Sequence, residues 1–306
     1  MTMSIQVQHL VKRFGPVTAI NDISFTVEAG HLFAFLGANG AGKTTAINCL
    51  TTRIRPDGGA ITVAGRTLGQ HDDLIRQKIG VVFQQSLLDP ILTVRENLLL
   101  RSQFYGLRDA EKRIDDLAGR IDLTPFLDRR YGVLSGGQKR RADIARALMH
   151  EPEILFLDEP TAGLDPASRD TIWRVIAQLR AETALTVFLT THYMEETEQA
   201  DHVCILDAGT IVAEGTPTAL RAAHAQDELR VSLAPDRHAA VRDELAKAGL
   251  AITDRGDVLL VKVRSSVEAI AILKHFEHAI TDFEFRHGTM DDVFLSLIGS
   301  NREVAA

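Results

Sequence analysis

Residues 37–44, Gly37-Ala38-Asn39-Gly40-Ala41-Gly42-Lys43-Thr44, fit the pattern G-x-x-x-x-G-K-[ST]. The apolar run HLFAFL precedes them and the helix-like TTAINCL follows, the strand–loop–helix context this pattern needs. Glycine lets successive backbone N–H groups converge on a phosphate, and the start of a helix adds partial positive charge. Gly37, Asn39, Gly40, Ala41 and Gly42 are therefore expected to line a phosphate cradle. Lys43 is the point charge for β- and γ-phosphates, and the Thr44 hydroxyl, beside Thr45, is a ligand for Mg²⁺.

A second run, Ile154-Leu155-Phe156-Leu157-Asp158-Glu159, reads as a buried strand ending in two carboxylates. Such a strand delivers Asp158 to the magnesium shell, where a hard cation takes oxygen. Glu159 is then placed to polarise a water for attack on the γ-phosphorus. Alone, an acidic pair at a strand end is an ordinary solvated turn; the phosphate cradle upstream is what makes it a catalytic pair. His192 follows the strand pattern TVFLT and reads equally as a γ-phosphate contact and as an ordinary surface or core histidine. Gln84 follows the strand pattern IGVVF. Its amide can reach Mg²⁺ or the attacking water, and the loop after it can report nucleotide state. Gln85 beside it, and the plain reading of a solvated loop, leave that assignment open. Phe14, in KRFGP, can stack on a base; taken alone it reads as core.

Residues 134–141, LSGGQKRR, hold no nucleophile, general base or evident metal ligand. Ser135, Gly136 and Gly137 open a helix pattern, so they form a second anion-binding nest. A second cradle for the same nucleotide would be redundant. The nest is expected to close over ATP held by another copy. Lys139, Arg140 and Arg141 are read, at least in part, as a solvated helix face.

These segments need a scaffold. Residues 5–36 read as short strands and turns, and HLFAFL as a parallel strand buried on both faces. Thr93 with Glu96 is a capping box opening a helix through about Tyr105. Helical patterns continue to about Leu127, and another follows the glycines of LSGGQ. Strand ILFLD, a helix near 167–181 and strand TVFLT come next. This alternation predicts a mainly parallel sheet flanked by helices. The texture turns small and polar near 222–227. Beyond it a β-α-β-β-α-β order predicts a small split βαβ sandwich. The expected domains are 1–224 and 225–306. Val293, Phe294, Leu297 and Ile298 form one apolar stripe on the last helix, expected to pack on that domain's own sheet. His275 and His278, three apart on a predicted helix, read as a solvated face in preference to a metal site.

Bulk properties narrow the partners. The 306 residues hold 34 Lys plus Arg and 41 Asp plus Glu, a net charge of −7, which disfavours general nucleic-acid binding. Hydrophobic residues make up 45%, enough for a full core. Cys49 and Cys204 stand far apart and in no CxxC pair, which argues against a zinc site or disulfide framework and for two buried core residues. The N-terminus has no signal-peptide pattern. No apolar run approaches the roughly 18 residues of a membrane span, so work at a membrane requires a partner.

Taken together, GANGAGKT, Gln84, LSGGQ, ILFLDE, GLD (163–165) and His192 resemble, in order, the Walker A, Q-loop, signature, Walker B, D-loop and switch histidine of ABC transporter nucleotide-binding subunits. The resemblance covers about residues 5–220. It implies an ABC-type P-loop NTPase domain: a mixed sheet core, an antiparallel β subdomain and an α-helical signature subdomain, here followed by a small α+β domain. It further implies ATP and Mg²⁺ as cofactors and a head-to-tail dimer with two ATPs, each between one Walker A and the opposite signature, Ser135 through Gln138. Glu159 looks like the general base and Asp165 like an interface residue. Phe14 departs from the family's usual tyrosine, keeping the stacking face and losing the hydroxyl. The tail FEFRHGTMDDVFLSLIG and the stretch VVFQQSLLDPILTVRENLLL resemble the drug-resistance ATPases, as in daunorubicin-type exporters, that pair with ABC-2-type permeases. That places the subunit at the cytoplasmic face of the membrane, energising export of a drug-like or amphipathic compound.

Soluble ABC-type ATPases are the alternative. Those of DNA repair need a long coiled coil between Walker A and the signature, and 46–133 holds no sustained heptads. Those of translation carry two nucleotide domains in one chain, and here there is one. Polysaccharide exporters end in a β-sandwich, against which two predicted helices after 235 count.

Overall fold

The computed structural model describes residues 2–304, with side chains through Ile298. Two compact units divide the chain, Met1–Gly215 and Thr216–Ala306.

The first unit is built on a six-stranded sheet. Its order is Thr210–Gly215, His202–Asp207, Leu32–Leu36, Thr186–Thr191, Ile154–Asp158 and Ile79–Val82. All neighbours run parallel except the edge hairpin 202–215. Every residue of Leu32–Leu36, Ile154–Asp158 and Thr186–Thr191 is buried. Helices and a second sheet cover both faces, so these strands read as unbroken apolar runs without alternation. The second sheet is antiparallel, in the order Val17–Glu28, Met3–Phe14, Gly58–Val63 and Arg66–Thr67. Its Phe25 meshes with Phe33, Phe35 and Phe188 of the first sheet, ring centroids 4.9 to 6.1 Å apart. Such offset and edge-to-face contacts add to the area buried.

A helical subdomain completes the unit: Val94–Phe104, Ala110–Arg120 and Gly136–Leu148. The capping box predicted at Thr93 is present, with Glu96 N donating to Thr93 Oγ1 and Thr93 N to Glu96 Oε2. A cap of this kind contributes about 1 kcal/mol. The helical pattern after it breaks at Arg120 and resumes only as a short turn, Thr124–Phe126, where Pro125 has no N–H to donate.

The second unit shows the predicted split βαβ order. Strands Ile252–Asp254, Val258–Val263, Asp227–Leu233 and Ile280–Arg286 form one antiparallel sheet in that spatial order. Helices His238–Lys247 and Ser266–His275 bury its apolar face through Val241, Leu245, Ala269 and Ile272. The sheet also carries a charged cluster, Glu228, Arg230, Glu284 and Arg286, about a shallow recess. Three expectations change here. The apolar stripe of the terminal helix, Met290–Val304, packs chiefly on helix Pro217–His224, not on the sheet, because the sheet's one apolar face is already taken. For the same reason helix 217–224 groups with the second unit, so the division falls at Gly215/Thr216, ahead of the expected 224/225. The helix that holds His275 ends there, so His278 lies beyond it and is exposed, and His275 instead meets Glu244 at 2.7 Å.

Candidate active site

The parallel strands set the chemistry by where they end. Strand register places Asp158 opposite Thr190, and Leu36 opposite Thr191. The residues that follow, the glycine-rich loop, Glu159 and His192, therefore emerge together at the carboxyl ends of adjacent central strands, the position where open α/β folds bind ligands. Gly42 caps the helix Lys43–Leu50 at φ 108°, and a Cβ there would lie 2.6 Å from the Ala19 carbonyl. Only glycine fits both the conformation and the space.

Lys43 is buried and donates to the carbonyls of Gly37 at 2.7 Å and Ala38 at 3.1 Å. Its Nζ lies 3.6 Å from Glu159 Oε1. Burial lowers the Lys43 pKa, while Glu159 and Asp158 oppose that shift. Asp158 Oδ1 accepts from Thr190 Oγ1 at 2.6 Å and from Thr44 Oγ1 at 3.3 Å. Burial raises the Asp158 carboxyl above the usual range, the Thr190 hydrogen bond opposes this, and the neighbouring Glu159 charge adds to it. Glu159 sits at φ 48°, a left-handed conformation that costs a side-chain-bearing residue about 1–3 kcal/mol. Its N–H is held by the Thr190 carbonyl at 3.1 Å and the Thr190 hydroxyl at 3.2 Å. His192 Nδ1 comes within 3.2 Å of Glu159 Oε1, without hydrogen-bond alignment.

This cluster fits a metal–triphosphate. Thr44 Oγ1 and Asp158 Oδ1 stand 3.3 Å apart, close to the roughly 3 Å separating neighbouring oxygens around an octahedral Mg²⁺. Two carboxylates against one buried lysine leave an excess of negative charge for a divalent cation.

Other predicted residues are placed differently. Gln84 is exposed, and it is its backbone carbonyl that is held, by Arg140 Nη2 at 3.4 Å. No hydrogen bond from its amide to the Lys43–Asp158–Glu159 cluster is present among the described residues. Phe14 is half exposed, not core, with Lys12 Nζ 5.3 Å from its ring centre. It ends the strand next to Val17–Glu28, whose Ala19 abuts Gly42. Asn39, Gly40 and Thr44 are exposed, while Gly37 and Ala41 are buried.

The LSGGQ segment begins helix Gly136–Leu148 as expected, by a device that S-x-x-Q signals in the sequence: a capping box. Gln138 N donates to Ser135 Oγ at 3.3 Å and Ser135 N to Gln138 Oε1 at 3.1 Å. A Cβ on Gly137 would meet Ser168 Oγ at 2.5 Å. Asp165 caps the helix Pro166–Thr183, accepting from Ser168 N at 2.9 Å and Ser168 Oγ at 2.7 Å. Ser135, Gly137, Gln138, Arg141, Ala167 and Ser168 line one recess, which includes no residue of the Lys43 cluster. Arg140 is not solvated: it is buried and donates to the Phe83 carbonyl at 2.7 Å. Asp143, also buried, accepts from Ser86 Oγ at 2.6 Å. These contacts fasten the signature helix to the Gln84 loop. Their only trace in the sequence is three charged residues at i, i+3 and i+6, Arg140, Asp143 and Arg146, on a helix that also carries an apolar face.

Residues 20–162 match the ABC transporter family. The chain is 35% identical, over 97% of its length and 93% of the relative's, to the daunorubicin/doxorubicin resistance ATP-binding protein DrrA of Streptomyces peucetius. The chain belongs to the ABC transporter ATP-binding family. Another member, the Nod factor export ATP-binding protein I of Burkholderia lata, is 38% identical over 96% of this chain and 97% of that one. Among solved ABC structures, a dimeric ATP-binding cassette in a post-hydrolysis state with ADP and Pi superposes with a TM-score of 0.63, at 28% identity over 69% of this chain and 98% of that one. The cbiO1 protein of Clostridium perfringens, part of the ABC transporter complex cbiONQ, shares the fold at a TM-score of 0.68 and 24% identity, covering 81% and 97% of the two chains. This ABC ATPase thus carries the family's P-loop NTPase core, and it binds and hydrolyses ATP.

Proposed function

We propose that the chain is the ATPase subunit of an exporter, working as a head-to-tail homodimer on a separate ABC-2-type permease at the cytoplasmic face of the membrane. The observation that carries the dimer is the recess at Ser135–Gln138: a helix N-terminus with its own anion nest, lined by no residue of its own chain's Lys43 cluster. In this reading each nucleotide lies between Gly37–Thr45 of one copy and Ser135–Gln138 of the other, with Asp165 at the interface and Phe14 stacking on the base. Lys43 holds the β- and γ-phosphates. Thr44 and Asp158, and Gln84 once its loop closes, hold Mg²⁺, which when bound neutralises phosphate charge. Glu159 takes the proton of the attacking water, and His192 fixes the γ-phosphate and the Glu159 carboxylate.

Export of a drug-like or amphipathic compound is supported by the relatives, one named for daunorubicin/doxorubicin resistance and one for Nod factor export. Among the described residues no helix is long and apolar enough to cross a membrane. Leu87 and Ile91, exposed by 62 and 71%, follow Gln84, and Phe104, exposed by 82%, ends the helix Val94–Phe104; these exposed apolar side chains are the ones this reading assigns to the permease contact. We assign residues 1–215 to the ATPase domain and the remainder to an accessory domain. Purification of the tagged chain from detergent-solubilised membranes tests the reading. A polytopic membrane protein should copurify and should be lost from a Leu87→Asp/Phe104→Asp variant. Copurification of DNA or ribosomes in its place overturns it.

A further inference from the structure

The edge hairpin of the large sheet gathers three metal-ligand side chains. His202 and Cys204 are two apart on strand His202–Asp207, so they share one face. Glu214 is the direct cross-strand partner of Cys204 on strand Thr210–Gly215 and joins that face. One ligand atom from each of the three lies within 4.8 Å of the others. Cys204 Sγ is 3.1 Å from Glu214 Oε2, and His202 Nε2 is 3.9 Å from the same oxygen. A tetrahedral ion with ordinary Zn–S, Zn–N and Zn–O bonds needs ligand separations of about 3.4–3.6 Å, which these distances bracket. The strands fix the backbone, and the His202 ring is stacked on Phe33 at 5.5 Å between centres.

We propose that His202, Cys204 and Glu214 form a binding site for one Zn²⁺-class ion. One sulfur, one nitrogen and one oxygen select a borderline metal over Mg²⁺, which takes oxygen alone, so the ion that accompanies ATP does not compete. Cys204 is fully buried, whereas His202 and Glu214 are partly exposed, by 36 and 50% at their side chains. The ion therefore enters from the Glu214 side, and water completes its fourth position. On binding, the Cys204 thiol, which donates to Glu214 in the free protein, gives its proton to solvent, and the S–metal bond forms in its place. Cysteine pairing in the sequence argues against zinc, but this set needs no pair: Glu214 lies ten residues past Cys204 around a bend and joins the other two ligands only through strand register. The ion staples the hairpin beside the phosphate cradle. Leu206 lies two residues past Cys204, and a Cβ on Gly37 would meet its carbonyl at 2.5 Å.

The test is titration of the chelator-treated full chain with Co²⁺ in excess Mg²⁺ and no nucleotide. One equivalent should produce a thiolate-to-metal charge-transfer band, and Zn²⁺ should abolish the band by displacing Co²⁺. The band should vanish in Cys204→Ser and persist in Cys49→Ala. His202→Ala and Glu214→Gln, at partly exposed positions, should each weaken affinity by about tenfold or more, about 1.4 kcal/mol. Zn²⁺ should raise the melting temperature of the wild type and leave that of Cys204→Ser unmoved. Absence of the band in the wild type overturns the site. So does a band of unchanged affinity in both His202→Ala and Glu214→Gln, or one that follows Cys49.

Discussion

Glu159 Oε1 lies within reach of two nitrogens from different elements: His192 Nδ1 at 3.2 Å and Lys43 Nζ at 3.6 Å. The carboxylate proposed as base thus approaches both the lysine proposed to bind phosphate and the residue just past the end of the neighbouring strand.

Glu159→Gln keeps size and hydrogen bonding but cannot accept a proton. Turnover should fall by roughly 10²-fold or more, while ATP binding survives. An ATP-dependent dimer should accumulate on gel filtration. A variant that hydrolyses at the wild-type rate as a monomer would show that Glu159 is not the base.

Lys43→Ala removes the cation of the cradle, and Ser135→Arg blocks the opposite nest while leaving binding to the single chain intact. Each alone should lose turnover by about 10²-fold or more. Mixed, they give dimers with one composite site intact at both faces and the other broken at both. Steady-state hydrolysis above that of either variant alone is expected. ATP-dependent crosslinking between the Ser135 and Lys43 faces is the companion measurement, and its absence in the wild type would sink the head-to-tail dimer.

Glu196 carries a pH dependence. It is buried on the segment after His192 and accepts a hydrogen bond from Thr161. Burial raises its carboxyl above the usual range, and hydrogen bonds from Thr161 and Thr191 oppose the shift. In the window above the ordinary glutamate value the folded chain retains a proton that the unfolded chain has released. This contribution to stability is full below that value and is lost as pH rises through the folded one. Glu196→Gln deletes the titration. Urea melts from about pH 4 to about pH 8 should show the variant gaining on the wild type as pH rises. A pH-independent difference would rule the effect out.

Chains ended at Gly215 and at Ala223 should behave differently. The first keeps the ATPase unit and should bind nucleotide as the full chain does. The second retains helix Pro217–His224 without the terminal helix on which it packs, leaving Pro217 and Leu220 uncovered, and should aggregate more readily. Isothermal titration and light scattering separate the two. Loss of ATP affinity in a folded 1–215 fragment would place part of the nucleotide site in the tail.

The local motifs were legible in the amino-acid sequence because their chemistry is local. A glycine loop between strand and helix, carboxylates at a strand end and a cap such as Thr93–Glu96 are each written within about eight residues. Period and spacing likewise predicted the sandwich order of the second unit. What lies across the fold was not legible. Arg140 reads as a solvated cation until the Phe83 carbonyl is found beside it, and the terminal stripe reads as sheet packing until helix 217–224 claims it. Nor does spacing show that Glu159 Oε1 meets both Lys43 and His192, or that His202, Cys204 and Glu214 share a face. Those meetings depend on strand order and register, which arise for the first set from packing among strands that are distant in the sequence, Leu32–Leu36, Ile154–Asp158 and Thr186–Thr191, and for the second from the pairing of a hairpin. A linear pattern specifies which groups are available; only the closed sheet determines which of them are neighbours.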